Sequence, residues 1–326
     1  LSSSRAQMIK VSRQVVKVKN QARFAMAVLC MAQLTAASMP AHAEWREQMG
    51  QFRIGIATSN GQPFNPVQIR EFKSVISQAL KMPVEVTQTR NAATLIDAAA
   101  SDRVEYAVLS ALGFATLDLA CACMEPIAAP VSGEGATHIR SVLYANAGSV
   151  ENLKDLVGKR IAIGPESSLT ATVLPMAQFQ IDGATLEALD IELVSKATIE
   201  EALNAVAEGS VDGFFGWDQT KSGSSARIET ALSRKMEAYQ DLQMEEVWHS
   251  EPVRFGPHSV RSDLPDEAKQ ALQEALLELE QSAPRAYDFI SPNLAGGLEP
   301  VTKADYAPLI SALRKFTSRE GKASEQ

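Results

Sequence analysis

Phe52-Arg53-Ile54-Gly55-Ile56-Ala57 alternates and carries β-branched residues, so it reads as a strand, and Asn65-Pro66 just beyond it opens a helix. Asn supplies an N-cap and Pro suits the first helical position, where no backbone donor is needed. Ile69, Phe72, Ile76, Ala79 and Leu80 then recur at helical spacing, which predicts a helix to about Lys81. The same rhythm continues. Val84 to Gln88 reads as a strand, Asn91 to Ala100 as an Ala-rich helix, and Val104 to Leu109 as a third strand. Ala111 to Leu119 reads as a helix, and Met124 to Ala129 returns as a strand. Strands alternating with helices imply a parallel sheet with helices packed on it.

The alternation restarts after Ser141. Ser141 to Asn146 is extended, Val150 to Leu156 a helical turn, Arg160 to Ile163 a strand and Ser168 to Gln180 a helix. Ile191 to Val194, a helix over Thr198 to Glu208, and the strand Val211 to Phe215 complete a second α/β unit. A stretch punctuated by Pro252, Pro257 and Pro265 leads to a helix over Asp266 to Gln281, and a polar tail follows Thr317.

Residues 1 to 43 hold six basic side chains (Arg5, Lys10, Arg13, Lys17, Lys19, Arg23) and no acid, then an apolar run from Phe24 to Ala37 and Ala41-His42-Ala43. A basic region, a short apolar core and an Ala-x-Ala site read as a secretory signal peptide cleaved after Ala43. The run falls short of the roughly 20 residues that span a bilayer. Position 1 is not Met, and Met8 is one candidate start. Without that segment, 283 of the 326 residues remain, and the six cations lost reduce 31 Lys and Arg to 25 against 39 Asp and Glu, a net charge of −14. That balance argues against nucleic acid or an anionic membrane as partner, since both demand a basic face.

Of three cysteines, Cys30 leaves with the signal, so an exported protein keeps only Cys121 and Cys123, in Leu119-Ala120-Cys121-Ala122-Cys123-Met124-Glu125. One such pair does not make a disulfide scaffold. On an extended segment, i and i+2 share a face with Cα atoms roughly 6.6 Å apart, near the upper limit for an unstrained disulfide. A bridging third atom then fits more easily than a direct bond. The alternatives are a buried structural pair or a disulfide.

Several stretches resemble the periplasmic phosphate, phosphite and phosphonate-binding proteins, the solute receptors of ABC importers. They are Val104-Glu105-Tyr106-Ala107-Val108-Leu109-Ser110 with Phe114, and Leu153-Lys154-Asp155-Leu156-Val157-Gly158-Lys159-Arg160-Ile161-Ala162. Gly164-Pro165-Glu166-Ser167-Ser168-Leu169-Thr170-Ala171-Thr172-Val173-Leu174-Pro175 stands where that family has a Ser-Thr-Ser-Gly phosphonate loop. Val247-Trp248-His249-Ser250-Glu251-Pro252-Val253 and Arg261-Ser262-Asp263-Leu264-Pro265 resemble its return to the first lobe. The resemblance implies an α/β, two-lobed periplasmic binding protein with the ligand cleft between the lobes. Lobe one would be 50–141 plus 250–326 and lobe two 142–249, closing on the ligand about a hinge. It implies no enzyme and no cofactor.

The phosphonate loop departs from that pattern in ways that bear on the ligand. One hydroxyl position is Leu169, the loop glycine is Ala171, and Lys196-Ala197-Thr198-Ile199 stands where the family has a histidine. Soft thiolates select soft acceptors over hard oxyanions. The cysteine placement therefore resembles the branch of this family that binds arsenite and signals to a membrane histidine kinase controlling arsenite oxidase. On that reading Cys121, Cys123 or both capture arsenous acid, with Ser110, Ser167, Ser168, Thr170, Trp217 and Asp218 as further ligand contacts.

The alternative reading of the hydroxyl residues is as simple helix caps, and of Trp217-Asp218 as a core Trp with a capping Asp. Two other classes of partner stay open. An importer subunit for phosphate, phosphite or phosphonate would dock on an ABC permease and have no need of the cysteines; a metallochaperone would use Cys-x-Cys with Met124 for a soft metal. His138, His249 and His258 are isolated and make no metal set, and no nucleophile elbow of the Gly-x-Ser-x-Gly kind occurs.

Overall fold

The computed structural model describes residues 41–58, 64–223, 227, 228, 230–239 and 242–323. The signal-peptide reading of 1–43 falls almost wholly outside them. The chain divides into two compact units, 1–50 and 51–326. The described part of the first is helix α1 (Ala41–Met49). No helix among the described residues is long and apolar enough to cross a membrane.

In the second unit the elements follow in order as β1 (Phe52–Ala57), α2 (Pro66–Leu80), β2 (Val84–Thr89), α3 (Ala92–Ala100), β3 (Tyr106–Val108), α4 (Ala111–Ala120) and β4 (Met124–Pro130). Asn65 caps α2 by accepting the Val67 N–H, with Pro66 at the first position, as the residue types dictate. Next come β5 (His138–Asn146), β6 (Arg160–Ile163), a wide helical turn Leu169–Val173 running into α5 (Leu174–Gln178), β7 (Gln180–Ile181), β8 (Ala184–Thr185), β9 (Glu192–Ser195), α6 (Ile199–Ala207) and β10 (Gly213–Thr220). The remainder is β11 (Arg227–Ile228), α7 (Ala231–Glu237), β12 (Met244–His249), β13 (Val253–Arg254), β14 (His258–Arg261), α8 (Asp266–Leu277), α9 (Leu279–Ser282), α10 (Pro284–Ile290), β15 (Leu298–Pro300) and α11 (Ala307–Ala323).

Two large sheets form, one at the centre of each lobe, and β7 and β8 pair as a small two-stranded sheet. The first has the order β15-β4-β14-β3-β1-β2, with β1, β2 and β3 parallel and β14 inserted antiparallel between β3 and β4. The second has the order β12-β5-β10-β6-β9, with β6 parallel to β9 and β10, and β5 antiparallel to its neighbours. The chain crosses between them twice, at 131–137 and at 255–257. The two crossings are hydrogen-bonded to one another, Phe255 N–H donating to the Thr137 carbonyl at 3.1 Å. The second sheet takes in His138–Ser141 and Val253–Arg254, which pair as β5 and β13 and which the sequence reading assigned to lobe one.

Three of the expectations change. The helix expected over Asp266–Gln281 breaks at Glu278 into α8 and α9. The supposed polar tail continues α11, whose Leu309, Ile310 and Leu313 are buried and join a core with Leu95, Phe114 and Leu117 of lobe one and Val173 and Leu174 of lobe two. The cysteines do not lie on an extended segment. Cys121 is the residue after α4 and Ala122 takes a left-handed φ of 49°. That turn draws the Cα atoms to 5.1 Å, and a disulfide joins Cys121 directly to Cys123.

Candidate functional site

Ligands in open α/β sheets sit beyond the carboxyl ends of the parallel strands. In lobe two those ends are Ile163-Gly164 of β6, Lys196 after β9, and Trp217 on β10, and around them lies a pocket of about 120 Å³. Two helical runs start at its wall. Ser168 opens the run 169–178, its Oγ accepting the Ala171 N–H at 3.2 Å, and Thr198 opens α6, its Oγ1 accepting the Glu201 N–H at 3.2 Å. The first amides of each run, those of Leu169 and Thr170 and of Ile199 and Glu200, have no intrahelical acceptor. Converging helix N-termini favour an anion through these donors and their aligned dipoles.

Two side chains sharpen this. Lys196 is half-buried in the pocket wall and has no carboxylate partner among the described residues. Thr170 is only 8% exposed, and its hydroxyl has no hydrogen-bond partner among the described residues. Among the described residues, no Asp or Glu lines the pocket. The remaining lining is apolar, with Ala162, Ile163, Ala171, Ile199, Ala202, Phe215 and Trp217. One ammonium, spare hydroxyl and amide donors and no counter-carboxylate make a site for a small anion.

The structure brings together Ser168, Thr170 and Trp217 among the residues singled out from sequence, and adds Lys196, which the sequence reading noted only as standing in for a histidine. Ser167 is exposed and does not line the pocket. Ser110 caps α4 by accepting the Gly113 N–H at 3.0 Å, on the lobe-one side. Asp218 is not beside Trp217 in space. Alternation along β10 turns it to the opposite face, where it meets Arg140 directly across the β5–β10 pair and is buried in an ion pair. The loop's Leu169 likewise faces away from the pocket, packing against the core shared with lobe one. A Cβ on Gly164 would fall 2.7 Å from the Ala171 Cβ, so these two residues close the pocket floor against each other.

Cys121 and Cys123 lie elsewhere. Ser110 caps the start of α4 at the carboxyl end of β3 and Cys121 caps its end eleven residues later, about 16 Å away at 1.5 Å per residue. The pair therefore sits at the amino-terminal edge of the first sheet, where β4 begins. Cys121 is exposed and Cys123 half-buried, and the Ser262 hydroxyl and amide both donate to the Cys123 carbonyl at 3.0 Å. The hydroxyls expected to hold oxygens beside the sulfurs are thus at the other end of the helix or in the other lobe. Met124 is 2% exposed and belongs to the core. Among the described residues no group of three or more His, Cys, Asp or Glu side chains is placed to hold a metal.

The family model of ABC transporter phosphonate periplasmic substrate-binding proteins matches residues 44–306. This chain belongs to that family. Solved structures agree on the fold of this phosphonate-type binding protein. A binding protein component of an ABC phosphonate transporter from Pseudomonas aeruginosa is 18% identical, with a TM-score of 0.52 over 82% of this chain and 86% of that one. PhnD1 from Prochlorococcus marinus in complex with methylphosphonate is 14% identical, with a TM-score of 0.56 over 82% and 98%. A Xanthomonas citri protein bound to ATP is 14% identical, with a TM-score of 0.64 over 82% and 98%. The chain is a solute-binding protein, not an enzyme. Its two lobes and its crossing strands are what the fold provides.

Proposed function

We propose that this chain is the substrate-binding subunit of an ABC importer and that its ligand is a phosphorus oxyanion of the phosphonate class. The observation that carries the reading is the Lys196 ammonium, which has no carboxylate partner among the described residues, lining one pocket with the mostly buried Thr170 and two helix starts. The oxyanion's charge meets the ammonium, its oxygens accept from the hydroxyls of Thr170 and Ser168 and from the first amides at 169–170 and 199–200, and lobe one closes over it about the crossings at 131–137 and 255–257. Closure is favoured only to the extent that the ligand binds the closed form more tightly. The closed receptor then presents both lobes to a permease. Export, with cleavage after Ala43, places the protein in the periplasm.

The cysteines support a second reading, in which the reduced pair captures arsenous acid and the receptor signals to a histidine kinase. What favours it is that Cys121 is exposed and Cys123 only half-buried, so both sulfurs are open to exchange once the disulfide is reduced. That site would be independent of the lobe-two pocket. Titration of the purified, reduced protein with methylphosphonate, phosphite and arsenite, followed by tryptophan fluorescence, tests both readings on wild type and on the Cys121→Ser/Cys123→Ser double variant. Saturable binding of a phosphorus oxyanion that the double variant retains supports the importer reading. An arsenite response that the double variant loses, with no response to either phosphorus compound, would replace it with the sensor reading.

A further inference from the structure

The depth of the pocket is graded in polarity. Its donors stand at the strand ends and helix starts, Lys196, Thr198, Ser168 and Thr170. Its base lies further in. Ala162 is one residue before the end of β6, Ala202 is a turn inside α6, and Phe215 precedes Trp217 by two residues on β10. These three are 1%, 6% and 2% exposed. Every base residue is aliphatic or aromatic, and none offers a hydrogen-bond donor through its side chain.

Resting on the phosphorus-oxyanion reading above, we propose that the ligand is an organophosphonate carrying a compact, uncharged apolar substituent, which enters this base while the PO₃ group stays with Lys196 and the helix starts. An inorganic phosphate in the same place would turn its fourth oxygen towards Ala162, Ala202 and Phe215, where no donor meets it, and a buried polar atom without a partner is costly. A substituent bearing an ammonium fares no better, because among the described residues no carboxylate lines the pocket to receive the charge. A methyl, ethyl or similar group replaces that loss with apolar burial. The base is also tightly bounded. Ala162 and Ala202 are the smallest side chains that still close it, and Gly164 already meets Ala171, so the space admits a few carbons and no more.

Isothermal titration of the purified protein with inorganic phosphate, methylphosphonate, ethylphosphonate and 2-aminoethylphosphonate tests this, with an Ala202→Val variant alongside. Methylphosphonate is expected to bind about tenfold or more tightly than phosphate. Ethylphosphonate gains about fourfold on methylphosphonate for its added buried carbon, and the aminoethyl compound loses that gain. Ala202→Val, whose fold is checked by its thermal transition, should reverse the ethyl-over-methyl order by filling the base, and an unchanged order in the folded variant overturns the substituent proposal. Phosphate binding as tight as the alkylphosphonates, or an aminoethyl compound tighter than the ethyl one, overturns the substituent proposal and leaves the oxyanion reading standing. Failure of all four compounds to bind wild type overturns both. Should Ala202→Val prove unfolded, the wild-type order of the four compounds decides alone.

Discussion

Arg140 and Asp218 face each other across the β5–β10 pair and close a two-pronged ion pair, Nε to Oδ1 at 2.7 Å and Nη2 to Oδ2 at 2.8 Å, with both side chains almost fully buried. Glu246 of β12 adds a third member, 3.2 Å from Arg140 Nη2. The guanidinium is held charged, its pKa pushed up chiefly by the hydrogen bonds to Asp218. Removing one member of such a pair leaves a buried charge with too little compensation. Asp218→Ala is therefore expected to lower stability by about 3–5 kcal/mol, read by urea unfolding, while folded protein keeps its affinity for methylphosphonate. A variant of normal stability that has lost the ligand would instead return Asp218 to the binding site.

A second buried pair makes stability depend on pH. The Tyr106 hydroxyl and Nδ1 of His258 share a hydrogen bond of 2.5 Å, with both side chains buried in lobe one. Burial pushes the tyrosine pKa well above its usual range, so the hydroxyl stays protonated, and pushes the histidine down to about 3. The unfolded chain, with His258 near its ordinary value of about 6.5, binds a proton that the folded chain refuses. Stability is accordingly full above about pH 6.5 and falls as the pH drops towards 3, by about 1.4 kcal/mol per unit in the middle of that window. Between pH 6 and 4.5 this single group removes about 2 kcal/mol. Urea midpoints across that range measure it, and His258→Gln should remove that part of the slope. An unchanged slope would mean that His258 takes up its proton in the folded state.

At the return crossing, Gly256 is pressed against lobe one. A Cβ there would lie 2.2 Å from the Leu109 carbonyl oxygen and 2.7 Å from the Ser110 Cα, and Leu109 N–H donates to the carbonyl of the next residue, Pro257, at 3.0 Å. Because the obstacle is backbone, it has no rotamer to turn aside. Gly256→Ala should cost about 1–3 kcal/mol as an overpacked substitution, and should weaken ligand binding by displacing the crossing on which closure turns. Thermal unfolding and a titration on the same variant check both effects; wild-type behaviour in each would show that the crossing gives way freely.

Much of the frame was legible because local chemistry and tertiary context agree. Asn65-Pro66, Asn91, Ser110, Ser168 and Thr198 each begin a helical run as their residue types suggest. The βα alternation marks the parallel pairing of β1 with β2 and β3, but not the antiparallel strands β14 and β5 that make both large sheets mixed. The sequence was less informative where a strand is short or made late. β13, β14 and β15 are two to four residues long and owe their existence to partners far away in the chain, which no local period reports. α11 was passed over because its polar face dominates its composition, although Leu309, Ile310 and Leu313 recur along one side.

The candidate site was half legible for similar reasons. Ser168 and Thr170 were marked by the loop they occupy, but Trp217 and Asp218 were grouped as neighbours when strand alternation sends them to opposite faces. Cys121 and Cys123 attracted the chemistry by their rarity, and the length of α4 set them apart from the cradle. Lys196 carried a usable sign all along. A lone lysine at the end of a predicted strand and just before a Thr-capped helix is a cation delivered to a helix start.

The measurement that bears most directly on the account is calorimetric titration of methylphosphonate into wild type and into Lys196→Gln, which leaves a polar side chain one atom shorter and removes its charge. Loss of a charge-assisted contact is expected to weaken binding by about 10- to 100-fold without altering the unfolding transition. Equal affinity in the two proteins would contradict the assignment of the anion to the lobe-two pocket.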